Sequence, residues 1–121
     1  MAENGFQLQS QLLRVLAHPV RLRILTLLAK REACVSHLEA LLGRPQPYVS
    51  QQLATLRAAG LVTDRRAGTV VYYRAADDRL AAWLRLGQEL MRDGEGRPVA
   101  FPATPEGALE GCACPCCQES G

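Results

Sequence analysis

The chain has 121 residues, 48% of them hydrophobic and 21% charged, enough for one domain, or one domain with a tail, and a modest core that oligomerisation would enlarge. No apolar run approaches the roughly 18 residues of a membrane-spanning helix, and MAENGFQLQS lacks the basic-then-apolar order of a secretory signal, so the expected location is the cytoplasm, where thiols stay reduced. Net charge is only +2 but uneven: residues 44–74 carry five Arg against one Asp, and residues 75–121 carry four Arg against eight acids, a distribution that suits a nucleic-acid-binding patch and also an ordinary solvated surface.

Leu8, Leu12, Val15 and Leu16 fall on one stripe of a first helix. His18-Pro19 interrupts it, and Pro19 suits the first turn of a second helix with Val20, Ile24, Leu27 and Leu28 on one face. CVSHLEALLG predicts a short third helix, with Ser36 and Glu39 as a capping box, or with its start at Cys34, and with Gly43 ending it in the left-handed region. RPQPYVSQQLATLRAAGL predicts a fourth helix. Pro45 and Pro47 fit its entry, Val49, Leu53 and Leu56 form its buried stripe, and Gly60 caps its end. LVTDRRAGTVVYYRA reads as a β-hairpin with Ala67-Gly68 in the turn and Arg65 and Arg66 beside it. DDRLAAWLRLGQELM predicts a fifth helix, capped by Asp77 or Asp78, with Leu80, Trp83, Leu84 and Met91 at helical spacing. From Asp93 onward Pro and Gly punctuate the chain. The expected organisation is a folded domain over residues 1–92 and a flexible tail over residues 93–121.

The predicted fold is mainly α with a small β-hairpin. A short helix joined by a tight turn to a Gln/Ser/Thr-faced helix follows helix-turn-helix logic. The exposed face of the fourth helix offers Gln46, Tyr48, Ser50, Gln51 and Thr55. Gln can bond adenine edges in the major groove, and Ser or Thr several bases. Arg65 and Arg66 in the hairpin, or wing, can reach phosphates or the minor groove. Polar side chains on a helix are usually only solvated; the conjunction with a basic wing, in this order of elements, is what points to DNA.

The segments LAHPVRLRIL, EACVSHL, VSQQLATLRAAGLV and RRAGTVVYYR make residues 8–91 resemble the ArsR/SmtB family of metal-responsive winged-helix repressors. The resemblance implies a homodimer through the first and last helices. It also implies operator binding in the ligand-free state and release on binding an effector. By position, the recognition helix is about Gln46 to Ala59 and the wing Leu61 to Arg74; Pro47 and Tyr48 replace the small polar residues expected there.

Many metal-binding members of that family carry Cys-x-Cys at the start of the third helix. Here Cys34 matches the first thiol, Ser36 replaces the second, and His37 follows. Residues three apart on a helix face the same way, so Cys34 and His37 offer a sulfur and an imidazole to a common ion. A lone helical Cys is as readily core packing. The family's D-x-H zinc pattern is missing from the last helix, which holds no His, and His18 reads as structural.

Four of the five cysteines, Cys112, Cys114, Cys116 and Cys117, lie within GCACPCCQES. Alternating thiols and a C-x-x-C pair favour soft or borderline acceptors: zinc, cadmium, lead, copper(I), mercury or trivalent arsenic as arsenite. Three functions follow. The first is a repressor that releases operator DNA when such an ion binds Cys34, His37 and the tail. The second is a repressor switched by thiol oxidation or sulfide. The third is a metal-buffering or trafficking protein, which the DNA-binding pattern argues against. No enzyme is expected, since no catalytic constellation stands out.

Overall fold

A computed structural model describes residues 4–103. The elements run α1 (Gly5–Leu16), α2 (Pro19–Lys30), β1 (Ala33–Cys34), α3 (Val35–Leu42), α4 (Gln46–Ala58), β2 (Val62–Ala67), β3 (Val70–Ala75) and α5 (Leu80–Glu89). The start of α1 is a capping box: the Asn4 side chain accepts the Gln7 amide N–H at 2.8 Å, and the Gln7 side chain accepts that of Asn4 at 2.9 Å. Pro19 opens α2, and His18 Nδ1 accepts the Arg21 amide N–H at 3.4 Å, so His18 is a helix cap.

Of the two predicted starts of α3, the one at Cys34 holds and the Ser36 box does not, because Cys34 is the extended residue preceding the first turn; the predicted cap of α5 is corrected. Helix α5 starts at Leu80 with no side-chain cap; Asp77 instead accepts the Arg79 amide N–H at 2.8 Å, closing a local turn ahead of the helix. The Arg79 guanidinium, 2.7 Å away, holds the Asp77 carboxyl down at about 2, and the amide bond adds to this. Gly43 ends α3 as expected, at φ 63°.

The hairpin also needs correction. The sheet has three antiparallel strands in the order β1-β3-β2, with Ala33 opposite Tyr73 and Cys34 opposite Tyr72. Ala67 pairs with Val70, so the turn is Gly68-Thr69, and Gly68 takes the φ of 64° that a two-residue hairpin loop demands.

Ile24, Leu25, Leu28, Leu38, Val49, Leu53, Leu56, Leu61, Val62 and Leu84 close the core between α2, α3, α4, the wing base and α5. The outer helices keep large apolar side chains in the open: Phe6 is 85% exposed, Leu86 55% and Leu90 76%. An apolar cavity of about 780 Å³ lies between α1, α2 and α5, lined by Leu13, Leu22, Leu27, Leu84 and Met91, with Phe101 from the following segment. Beyond α5, Asp93 and Arg97 close a turn through an N–H···O bond of 2.9 Å. Among the described residues no helix is long and apolar enough to cross a membrane.

Candidate nucleic-acid interface and thiol site

Helix α4 buries Val49, Gln52, Leu53 and Leu56, which fixes its roll about its axis. The rest of its surface then leaves Gln46 and Gln51 exposed and Tyr48, Ser50 and Thr55 half-buried. These side chains are partly organised. Gln46 Nε2 donates to Ser50 Oγ at 2.7 Å, Thr55 Oγ1 donates to the Gln51 carbonyl at 3.1 Å, and the Arg44 guanidinium lies 5.3 Å from the centre of the Tyr48 ring. All five predicted polar residues of this helix thus lie off its buried stripe, on a helix that also exposes Arg57. Arg57 in the last turn of α4 pairs with Asp64 of β2 at 3.3 Å, tying the wing to the helix.

The two wing arginines occupy different environments. Arg66 is exposed. Arg65 donates from Nε to Glu32 Oε2 at 2.7 Å and from Nη2 to Glu32 Oε1 at 2.5 Å, and its guanidinium lies 4.8 Å from the centre of the Tyr72 ring. The Arg65 hydrogen bonds hold the Glu32 carboxyl below the usual range against the opposing effect of burial, and the charges of Arg65 and Arg74 act in the same direction as the bonds.

Cys34 caps α3 and His37 lies in its first turn, both buried at 3% and 2% exposure. The His37 amide N–H donates to Cys34 Sγ at 3.4 Å. Burial pushes the His37 imidazole below its ordinary value, and the charge of Arg31 adds to this. The neutral form is the one a metal takes. A thiolate and an imidazole are both donors that tetrahedral zinc takes. Among the described residues no cluster of three or more His, Cys, Asp or Glu could hold an ion. Cys112, Cys114, Cys116 and Cys117 lie outside the described residues.

Residues 18–64 match the model of the arsR family of bacterial regulatory proteins. The HTH-type transcriptional repressor SmtB of Mycobacterium tuberculosis is 51% identical over 71 residues, which are 59% of this chain and 53% of that protein. The crystal structure of M. tuberculosis Rv0081 superimposes with a TM-score of 0.67 at 36% identity, covering 74% of this chain and 90% of that one. The chain belongs to the arsR family. The family's winged helix-turn-helix is the fold described above. A solution structure of the homodimeric winged helix-turn-helix DNA-binding domain of Mb0332 from Mycobacterium bovis matches with a TM-score of 0.63 at 33% identity, covering 73% of this chain and 87% of that one. Against SmtB, the match spans only about half of the relative's own length. The relatives named here are transcriptional regulators or DNA-binding domains rather than enzymes.

The family segment runs from the cap of α2 into β2 and so holds Cys34, His37 and all of α4. Sequence reasoning missed Glu32, Arg44, Arg57 and Asp64. Arg44 was readable as a cation four residues before an aromatic. Glu32 and Arg65 are 33 residues apart, and no local pattern joins them.

Proposed function

We propose that the protein is a cytoplasmic, homodimeric transcriptional repressor that binds operator DNA and lets go when a soft metal or metalloid occupies Cys34, His37 and the tail thiols Cys112, Cys114, Cys116 and Cys117. The observation that carries the DNA reading is the polar exposed surface of α4, followed in the chain by a wing with Arg66 exposed. Gln46, Tyr48, Ser50, Gln51 and Thr55 face the major groove, and Arg66 meets the backbone. The dimer reading is supported by apolar side chains left open on α1 and α5, among them Phe6, Leu13, Leu86 and Leu90. A two-fold pair would set two recognition helices about one DNA turn apart on an imperfect inverted repeat.

Cys34 and His37 would supply a thiolate and an imidazole, and the tail the remaining sulfur donors; zinc, cadmium, lead, arsenite and copper(I) suit that set. A ligand drawn onto the start of α3 acts one short helix ahead of α4. A coupling of about 1–3 kcal/mol, a 5- to 150-fold loss of operator affinity, suffices for release. The capping position of Cys34 also favours a second reading, in which a two-electron oxidant or a polysulfide links this sulfur to a tail thiol, both thiols losing their protons and the oxidant or the polysulfide's sulfane sulfur taking the electron pair, since a helix N-terminus stabilises thiolate.

The deciding experiment titrates reduced protein, bound to its promoter DNA, with zinc, cadmium, lead, arsenite, copper(I) and polysulfide in turn. Release by an ion but not by polysulfide supports the first reading, and the reverse the second. Deleting residues 111–121, or Cys34→Ser, should preserve DNA binding and abolish release. Wild-type release from both variants would end the proposed link between α3 and the tail, and no affinity for the promoter would end the repressor reading.

A further inference from the structure

We propose that Glu32, Arg65 and Tyr72 form a strut that fastens the wing to the strand carrying Cys34, making Glu32 and Arg65 positioning residues of the wing instead of contacts to DNA phosphate. The register supplies the first reason. Cys34 of β1 lies opposite Tyr72 of β3, and Tyr72 opposite Arg65 of β2, so the three form one row across the sheet. Directly opposed residues share a face. Strand β1 touches β3 but not β2, because β3 lies between them. The bonds from Arg65 to Glu32 step over the central strand and join the outer strand to the residue just before β1.

The second reason is the geometry of the guanidinium. One edge meets both carboxylate oxygens and the guanidinium lies over the Tyr72 ring, which fixes its direction while the side chain stays 57% exposed. Lysine has neither the fork nor the flat face. Third, β1 is only two residues long, so two pairs with β3 are all its ladder provides. The bonds to Glu32 add a connection beside that short ladder. Arg66, the next residue of β2, faces the opposite side of the hairpin and is left as a wing cation for DNA. Through the strut, a displacement of Cys34 reaches both long strands of the wing together.

The part of this inference that concerns DNA rests on the proposed function; the mechanical link does not. The test therefore has two arms, both on the full chain. In the first, Cys112, Cys114, Cys116 and Cys117 are changed to Ser, leaving Cys34 as the reporter thiol, and its alkylation by N-ethylmaleimide is timed. In this background Glu32→Gln, Arg65→Lys and Arg65→Ala should each speed labelling by about tenfold or more, as loss of local contacts raises opening. Glu32→Gln with Arg65→Ala should be no faster than either alone, the mark of one shared interaction. Labelling at the parent rate in the conservative pair, Glu32→Gln and Arg65→Lys, overturns the strut; both substitutions sit at an accessible site and keep size or charge, so they test it even if Arg65→Ala misfolds.

The second arm measures promoter affinity against salt. A lost phosphate contact lowers the slope by about 0.9. Arg66→Ala should show that change. Arg65→Ala should weaken binding with the slope kept, and Arg65→Lys should weaken it equally. A slope lowered by Arg65→Ala and restored by Arg65→Lys overturns the positioning role. If the parent protein binds no promoter DNA, the repressor reading fails and the labelling arm alone decides the strut.

Discussion

Gly43 ends α3 at φ 63°, in the short turn that leads to α4, and a Cβ built there meets nothing within 4 Å. Substitution at this site therefore isolates backbone strain from packing. Placing an alanine in the left-handed region costs roughly 1–2 kcal/mol. The stiffer unfolded chain returns about 0.4–1 kcal/mol. The net loss for Gly43→Ala should be about 1 kcal/mol, or a fall in Tm of roughly 4–8 °C for a domain of this size. The bond from the residue-43 amide to the Glu39 carbonyl, 2.8 Å in the structure, is available to either residue. Asparagine tolerates the left-handed region far better, so Gly43→Asn should stay within about 0.5 kcal/mol of the parent. Urea unfolding at one fixed protein concentration measures both, because a dimer's stability depends on that concentration. A loss above about 3 kcal/mol for alanine, or equal losses for alanine and asparagine, would refute the assignment of the cost to φ.

Leu86→Glu places a charge on the outward side of α5, where the parent side chain is 55% exposed. It should shift a dimer to monomer in analytical ultracentrifugation while leaving the far-ultraviolet circular dichroism unchanged; an unaltered dimer would remove α5 from the interface. Gln51→Ala should relax the base preference at one operator position by about 1–3 kcal/mol in a competition assay against single-base variants. Uniform weakening across all variants would show that Gln51 contacts no base.

How far the sequence could be read depended on how local each cause was. The stripe of Val49, Leu53 and Leu56 recurs within one helix, and burial follows it. Gly43 as a terminator is equally local. Strand β1 escaped because two residues carry no alternation; its existence depends on Tyr72 and Tyr73, some 40 residues downstream. The Ser36–Glu39 box lost to Cys34 because the chain is still extended at Cys34 and already helical at Ser36. Asp77 fitted a cap by type but closed a turn to Arg79 first. For the candidate site, the polar surface of α4 was legible from spacing, whereas Cys34 and His37 meet through a cap bond from the His37 amide that helical spacing did not announce. That Arg65 and Arg66 differ was not legible, because alternation along a strand sends neighbours to opposite faces and only the fold sets Glu32 beside one of them.

Helix α3 begins on a sulfur, in a position where oxygen acceptors are the rule. Serine at position 34 removes the soft ligand yet keeps a side-chain acceptor for the His37 amide. Alanine removes both, and loss of a cap costs about 0.5–2 kcal/mol. The two substitutions thus separate reactivity from architecture at a single atom. Whatever claims the lone pairs of that atom, whether an electrophile, an oxidant or a cation, competes with the first turn of the helix that leads to α4.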